Sequence, residues 1–71
     1  MTATSIEIVV NGESKTIAAG QTVADLVGLL ELDPKRVAVE KNQELVRRVR
    51  WAEARVDAGD RIEIVEFVGG G

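Results

Sequence analysis

Of the 71 residues, the three that offer the most chemistry have no side chains. Gly69-Gly70-Gly71 closes the chain, and at its tip is an α-carboxylate, ionised at neutral pH. Without Cβ atoms these residues make a strand slim enough to thread a channel that excludes every other residue type. Fully extended they reach ~10 Å past the residue before them. A carboxylate is a poor electrophile until one oxygen becomes a good leaving group, and adenylation with ATP supplies that. The acyl-adenylate then accepts a sulfur or nitrogen nucleophile. A terminal glycine run is equally what a frayed end or a cloning remnant leaves. Position favours presentation, because the glycines follow a strongly β-forming segment with no spacer and would be aimed outward along a fixed line.

The remaining composition assigns the catalytic work to other proteins. With no Cys and no His, the chain has no thiolate nucleophile, no disulfide, no imidazole base and no usual zinc site. Its Asp and Glu residues show no EF-hand spacing. A net charge of −3 argues against nucleic-acid binding, which relies on clustered Lys and Arg. No run approaches the ~20 apolar residues that span a bilayer. Met1 to Ser5 lacks the basic start and apolar stretch of a secretion signal, so the expected location is cytoplasmic. A chain this short forms one domain and buries only about three-fifths of its surface. Nearly every apolar side chain is then needed for the core. The expectation is a monomer that is not an enzyme, binds no cofactor of its own, and delivers an acyl group to its partners.

The elements that must position such a tail follow from local pattern. Met1 to Ser5 is small and polar and reads as a flexible leader (1–5), with a domain over 6–68 and a flexible glycine tail over 69–71. Ile6, Ile8 and Val10 alternate onto one face of a first strand. Asn11-Gly12 predicts a type I′ turn, and Glu13 to Ile17 the returning strand. Thr22 can cap a helix with Asp25 three residues on, and Val23, Leu26, Val27 and Leu30 form one apolar stripe. Gly28 costs that helix ~1 kcal/mol against Ala, with no local reason beyond close packing or a partner's approach. Pro34 marks the helix as ended. Val37 to Lys41 predicts a third strand, Asn42-Gln43 a turn, Glu44 to Val46 a short return, and Arg47 to Trp51 an irregular or briefly helical piece. Arg61 to Val68 is the last strand. One striped helix needs one sheet face to cover it. The simplest result is an α+β roll, a β-grasp with a mixed four- to five-stranded sheet. Its first and last strands would be central and parallel, and one main helix would pack on one face.

Five stretches resemble the ThiS family of sulfur carriers of thiamine biosynthesis. They are Ala19-Gly20-Gln21-Thr22-Val23-Ala24-Asp25-Leu26, Val37-Ala38-Val39-Glu40-Lys41-Asn42, Val49-Arg50-Trp51, Ala58-Gly59-Asp60-Arg61-Ile62-Glu63-Ile64-Val65 and Phe67-Val68-Gly69-Gly70-Gly71. The similarity runs from about Ile6 to the terminus. It implies a ubiquitin-like fold whose last glycine, here Gly71, is adenylated by an E1-like enzyme of the ThiF type using ATP. The carboxylate then becomes a thiocarboxylate with sulfur drawn from cysteine, as through a cysteine desulfurase, and passes that sulfur to thiazole synthase, ThiG. Gly69 and Gly70 would thread the tail. Many members end in two glycines and this chain has three, so a trimmed tail would leave Gly70 reactive. Resemblance to molybdopterin-synthase small subunits is weaker, because Glu66-Phe67-Val68 replaces their proline-containing approach to the tail.

Other signals are secondary. In the last strand Ile62 and Ile64 share one face, which puts Val65 and Phe67 on the other. With Val68 they are candidates for a partner-docking surface, the rival being burial of Phe67 by a bulge or by the curl of the sheet. Arg47, Arg48, Arg50 and Arg55 read first as a solvated edge and second as a patch that steers an acidic partner. Trp51 reads as a satellite plug of the core, and Glu40, Asp60, Glu63 and Glu66 as solvent-facing. The rival functions are a carrier for molybdopterin, tRNA thiolation or cysteine synthesis, a β-grasp interaction module with an inert tail, and conjugation to lysine through an isopeptide bond.

Overall fold

The structure is a computed structural model that describes residues 4–68. Strand β1 (Ser5–Val10) turns at Asn11-Gly12 into β2 (Glu13–Ala18). Both turn residues have positive φ, 50° and 84°, as a type I′ turn requires. The ladder between them runs without interruption from Ser5 opposite Ala18 to Val10 opposite Glu13. Ser5 thus belongs to β1, one residue earlier than the leader boundary drawn from sequence.

Helix α1 (Val23–Leu29) starts where the sequence places it. The Thr22 hydroxyl accepts from the Asp25 amide at 3.2 Å, and the Asp25 carboxylate accepts from the Thr22 amide at 3.0 Å. This reciprocal pair satisfies two donors that the first turn would otherwise leave open. At the other end the Leu32 N–H donates to the Val27 carbonyl and the Glu31 N–H to the Gly28 carbonyl. These are the two bonds of a Schellman motif. The motif needs a left-handed residue after the helix, and here Glu31 occupies that site at φ 58°. The chain then makes a 3₁₀ turn (Pro34–Arg36), whose entry is capped by the Asp33 carboxylate on the Lys35 N–H. Next come β3 (Val37–Lys41), a turn with positive φ at Asn42 and Gln43, and β4 (Glu44–Val46). A second 3₁₀ turn (Arg48–Arg50) and an irregular stretch lead to β5 (Arg61–Glu66).

The five strands lie in the order β2-β1-β5-β3-β4, with β1 and β5 parallel and the other neighbours antiparallel. This is the expected β-grasp sheet, with the first and last strands at its centre. Val23, Leu26 and Val27 of the helix join Ile8, Val10, Ile62, Val37 and Val39 of the sheet in one buried cluster. Trp51 belongs to that main cluster at 5% exposure, so it is a core residue and not a satellite. Its indole Nε1 donates to the Val46 carbonyl at 2.8 Å, which satisfies the polar end of the ring.

Gly28 is exposed, and a Cβ built on it would meet nothing within 4 Å. Close packing inside the chain therefore does not explain it. Gly28→Ala should raise stability by ~1 kcal/mol, read as a higher urea midpoint at unchanged slope.

Candidate functional site

The glycines that sequence assigns as the reactive end, Gly69, Gly70 and Gly71, lie outside the described residues. What the structure defines is their root, and two asparagines, read from sequence as turn residues, hold it. Alternation along β5 sends the amide groups of its odd residues toward β3 and those of its even residues toward β1. On the β3 side, the Asn42 N–H donates to the Arg61 carbonyl at 2.8 Å, and the Asn42 side-chain oxygen accepts from the Arg61 N–H at 2.9 Å. Its Nδ2 donates to an Asp60 oxygen at 3.0 Å. On the β1 side, the Asn11 N–H donates to the Ile62 carbonyl at 2.9 Å. The Asn11 carboxamide then accepts from the Ile64 N–H at 2.7 Å and donates to the Ile64 carbonyl at 3.2 Å.

Each asparagine sits in the left-handed turn of a hairpin, a conformation its short polar side chain tolerates better than most. The turn chemistry was legible as Asn-Gly and Asn-Gln, but the second task of the side chains was not. It depends on β5 lying between the two hairpins, a contact across 53 residues for Asn11 and Ile64. Asp60, read from sequence as solvent-facing, is part of the same clamp. It accepts from Asn42 and from the Asp57 N–H at 2.8 Å, and lies 3.9 Å from the Lys41 ammonium.

Past Ile64 the strand presents the residues proposed from sequence as a docking surface. Val65 faces outward opposite Ala38, on the side of the sheet away from the helix. Val65, Phe67 and Val68 are 58%, 54% and 84% exposed, so neither bulge nor curl buries Phe67. The Phe67 N–H donates to the Arg36 carbonyl at 2.7 Å, which carries the pairing with the β3 side one residue past the strand. Beside it is a groove of 280 Å³ whose lining includes Phe67, Ala38, Leu45, Trp51, Arg47 and Arg48.

The arginine run is not a uniform solvated edge. Arg48 is tied down, donating from Nε to the Pro34 carbonyl at 2.9 Å and from a terminal nitrogen to the Val37 carbonyl at 3.2 Å. Its guanidinium lies 5.3 Å from the centre of the Trp51 ring, a cation–π contact. Arg50 pairs with Glu53 at 3.2 Å on the surface. Glu40 and Glu63 face each other across β3 and β5 on the outer face, a like-charge pair that leaves this part of the surface acidic. Among the described residues there is no group of three or more side chains able to hold a metal ion. No helix among them is long and apolar enough to cross a membrane.

The model of the ThiS family matches residues 8–71. The chain belongs to the ThiS family. Over 66 residues it is 35% identical to the sulfur carrier protein ThiS of Escherichia coli, covering 93% of this chain and 100% of that one. The crystal structure of a thiamine biosynthesis protein (ThiS) from Geobacter metallireducens superposes with a TM-score of 0.81. That match has 32% identity and covers 93% of this chain and all of the other. A thiazole synthase of Paramagnetospirillum magneticum is 44% identical over 66 residues, which is 93% of this chain and 20% of the synthase. The chain thus spans a fifth of the length of that relative. The relatives of similar length, from Escherichia coli and Bacillus subtilis, are both named sulfur carrier protein ThiS.

Asn11→Gly keeps the turn geometry and removes both side-chain bonds to Ile64. It should cost ~1–2 kcal/mol in chemical unfolding and speed amide exchange at Ile64. Unchanged exchange there would show that the Asn11 clamp does not hold β5.

Proposed function

We propose that this ThiS-family carrier serves thiamine biosynthesis through the α-carboxylate of Gly71. An E1-like enzyme of the ThiF type joins the carboxylate to AMP, releasing pyrophosphate from ATP. The outer sulfur of a persulfide, formed from cysteine by a desulfurase, displaces AMP to give an acyl disulfide. A thiol then cleaves the S–S bond, forming a disulfide of its own and leaving the thiocarboxylate. A thiazole synthase of the ThiG type then takes the sulfur, in the cytoplasm. Gly69 and Gly70 pass through the narrow part of each partner's site, and Val65, Phe67 and Val68 rest on the partner's surface.

One observation carries this reading. The central strand of the sheet, bonded on both sides, is the strand that leads into the three glycines. A carboxylate presented from such a base meets a partner with most of its approach direction already fixed, which lowers the ordering cost of docking. The delivery of sulfur to a thiazole synthase draws support from the relative of that name, in which a stretch resembling this chain forms part of the synthase.

Incubation with ATP, an activating enzyme and a sulfur donor should raise the intact mass by the difference between sulfur and oxygen. A chain lacking Gly70 and Gly71 should show no such change. Adducts on lysines of other proteins would indicate conjugation instead, and an unmodified full-length chain with several such enzymes would indicate an inert tail. Phe67→Asp, at an exposed site, should change stability by no more than ~0.5 kcal/mol and yet reduce adenylation at sub-saturating enzyme. Full activity in that variant would remove Phe67 from the docking surface.

A further inference from the structure

Strand β5 outlasts its neighbour. Pairing with β1 is confined to Val9 with Arg61 and Val10 with Ile62, because β1 ends at Val10 and the chain turns back at Asn11-Gly12. The even residues of β5 continue to direct their amide groups to that side. The Val9 N–H takes the Asp60 carbonyl, the Asn11 N–H takes the Ile62 carbonyl, and the Asn11 side chain takes both groups of Ile64. Glu66 is the next in the series. It stands opposite Val37 in the register with β3, whereas the bonded partners on that side are the odd residues, as the contacts of Arg61 and Phe67 show. The N–H and C=O of Glu66 therefore point to the β1 side, where the neighbouring backbone has already turned away. Glu66 is exposed.

We propose that this short free edge at Glu66 is a strand-addition site, on which the enzyme acting at the terminal carboxylate lays an extended segment of its own backbone. The chain itself shows that the edge accepts a peptide-like partner, since the Asn11 carboxamide imitates one at Ile64, a single ladder step earlier. The occupant is set by distance. Three glycines separate Val68 from the carboxylate, and they span at most ~10 Å. An active site closed around that carboxylate must have its entrance walls beside Glu66 to Val68. Backbone pairing there recognises an extended strand whatever its side chains and fixes the line along which the tail enters. The inference rests on the carrier reading above and adds the contact by which the partner takes hold.

Proline at position 66 removes the outward N–H and fills its place with a ring carbon, while every internal bond described for β5 remains. Proline is tolerated on a free edge for this reason. Glu66→Ala removes the side chain and keeps the N–H. With an ATP-dependent activating enzyme of the ThiF type, Glu66→Ala should bind within about twofold of the parent, and Glu66→Pro at least tenfold more weakly at an unchanged melting temperature. Binding and adenylation of Glu66→Pro equal to the parent would overturn the edge and leave the carrier reading standing. Loss of binding in Glu66→Pro, with no adenylation of the parent, would overturn the carrier reading and leave the edge. Amide exchange covers a Glu66→Pro chain that fails to fold. In the parent, the Glu66 N–H should exchange fast when free and slowly in the saturated complex, whereas Ile64 should be slow in both. A Glu66 N–H that stays fast in the complex, or is slow in the free chain through pairing of two copies, overturns the proposal.

Discussion

The pairing of β5 on both of its sides is the constraint on which the other features depend. This strand lies in the middle of the sheet, contributes the buried Ile62 to the core, and leads directly to the glycines. Its parallel contact with β1 is only two residue pairs long. Left to those two pairs, the outer half of the strand would have the antiparallel ladder to β3 and nothing opposite. The Asn11 carboxamide lengthens the short side by one step, and Asn42 with Asp60 fixes the strand at its start. Side-chain amides are suited to this because they reproduce the donor and acceptor of a peptide group.

The division between the two faces of the sheet follows from the same arrangement. Alternation places Ile62 and Ile64 toward the helix and Val65 away from it, and the helix has only one stripe to offer. The outer face thus keeps exposed apolar groups at Val65, Phe67 and Leu45 beside the acidic Glu40 and Glu63. Arg48 anchors the border of this face through the Pro34 and Val37 carbonyls and the Trp51 ring. A basic residue here acts as a brace between the first 3₁₀ turn, β3 and the core tryptophan. Fully solvated arginines would leave Phe67 a less defined neighbour.

What was readable in the sequence is what is decided locally. The Asn11-Gly12 turn, the Thr22–Asp25 capping pair and the helix stripe each depend on residues within a few positions of one another, and each took the expected form. The central, parallel placement of β1 and β5 was expected only as the simplest arrangement, because the hydrophobic pattern does not by itself fix the order of strands. The role of Asn11 and Asn42 beyond their turns was not readable, because it rests on a strand that arrives 53 positions after the first of them. The same holds for Asp60 and Arg48, whose charges suggested solvent and whose partners are backbone and side-chain groups distant in sequence. Glu31 in a left-handed conformation was hidden for another reason. The Schellman bonds and the packing of Leu32 against the core hold a residue where glycine would be the ordinary choice.

The late position of β5 in the chain has a consequence for how the molecule is made. Ribosomal synthesis releases the amino-terminal hairpin and the helix first, yet the strand that completes the core between β1 and β3 emerges last. A nascent chain halted before residue 61 has no central strand and exposes the apolar faces that Ile62 would cover. The core is thereby completed only by the strand that also forms the base of the glycine segment.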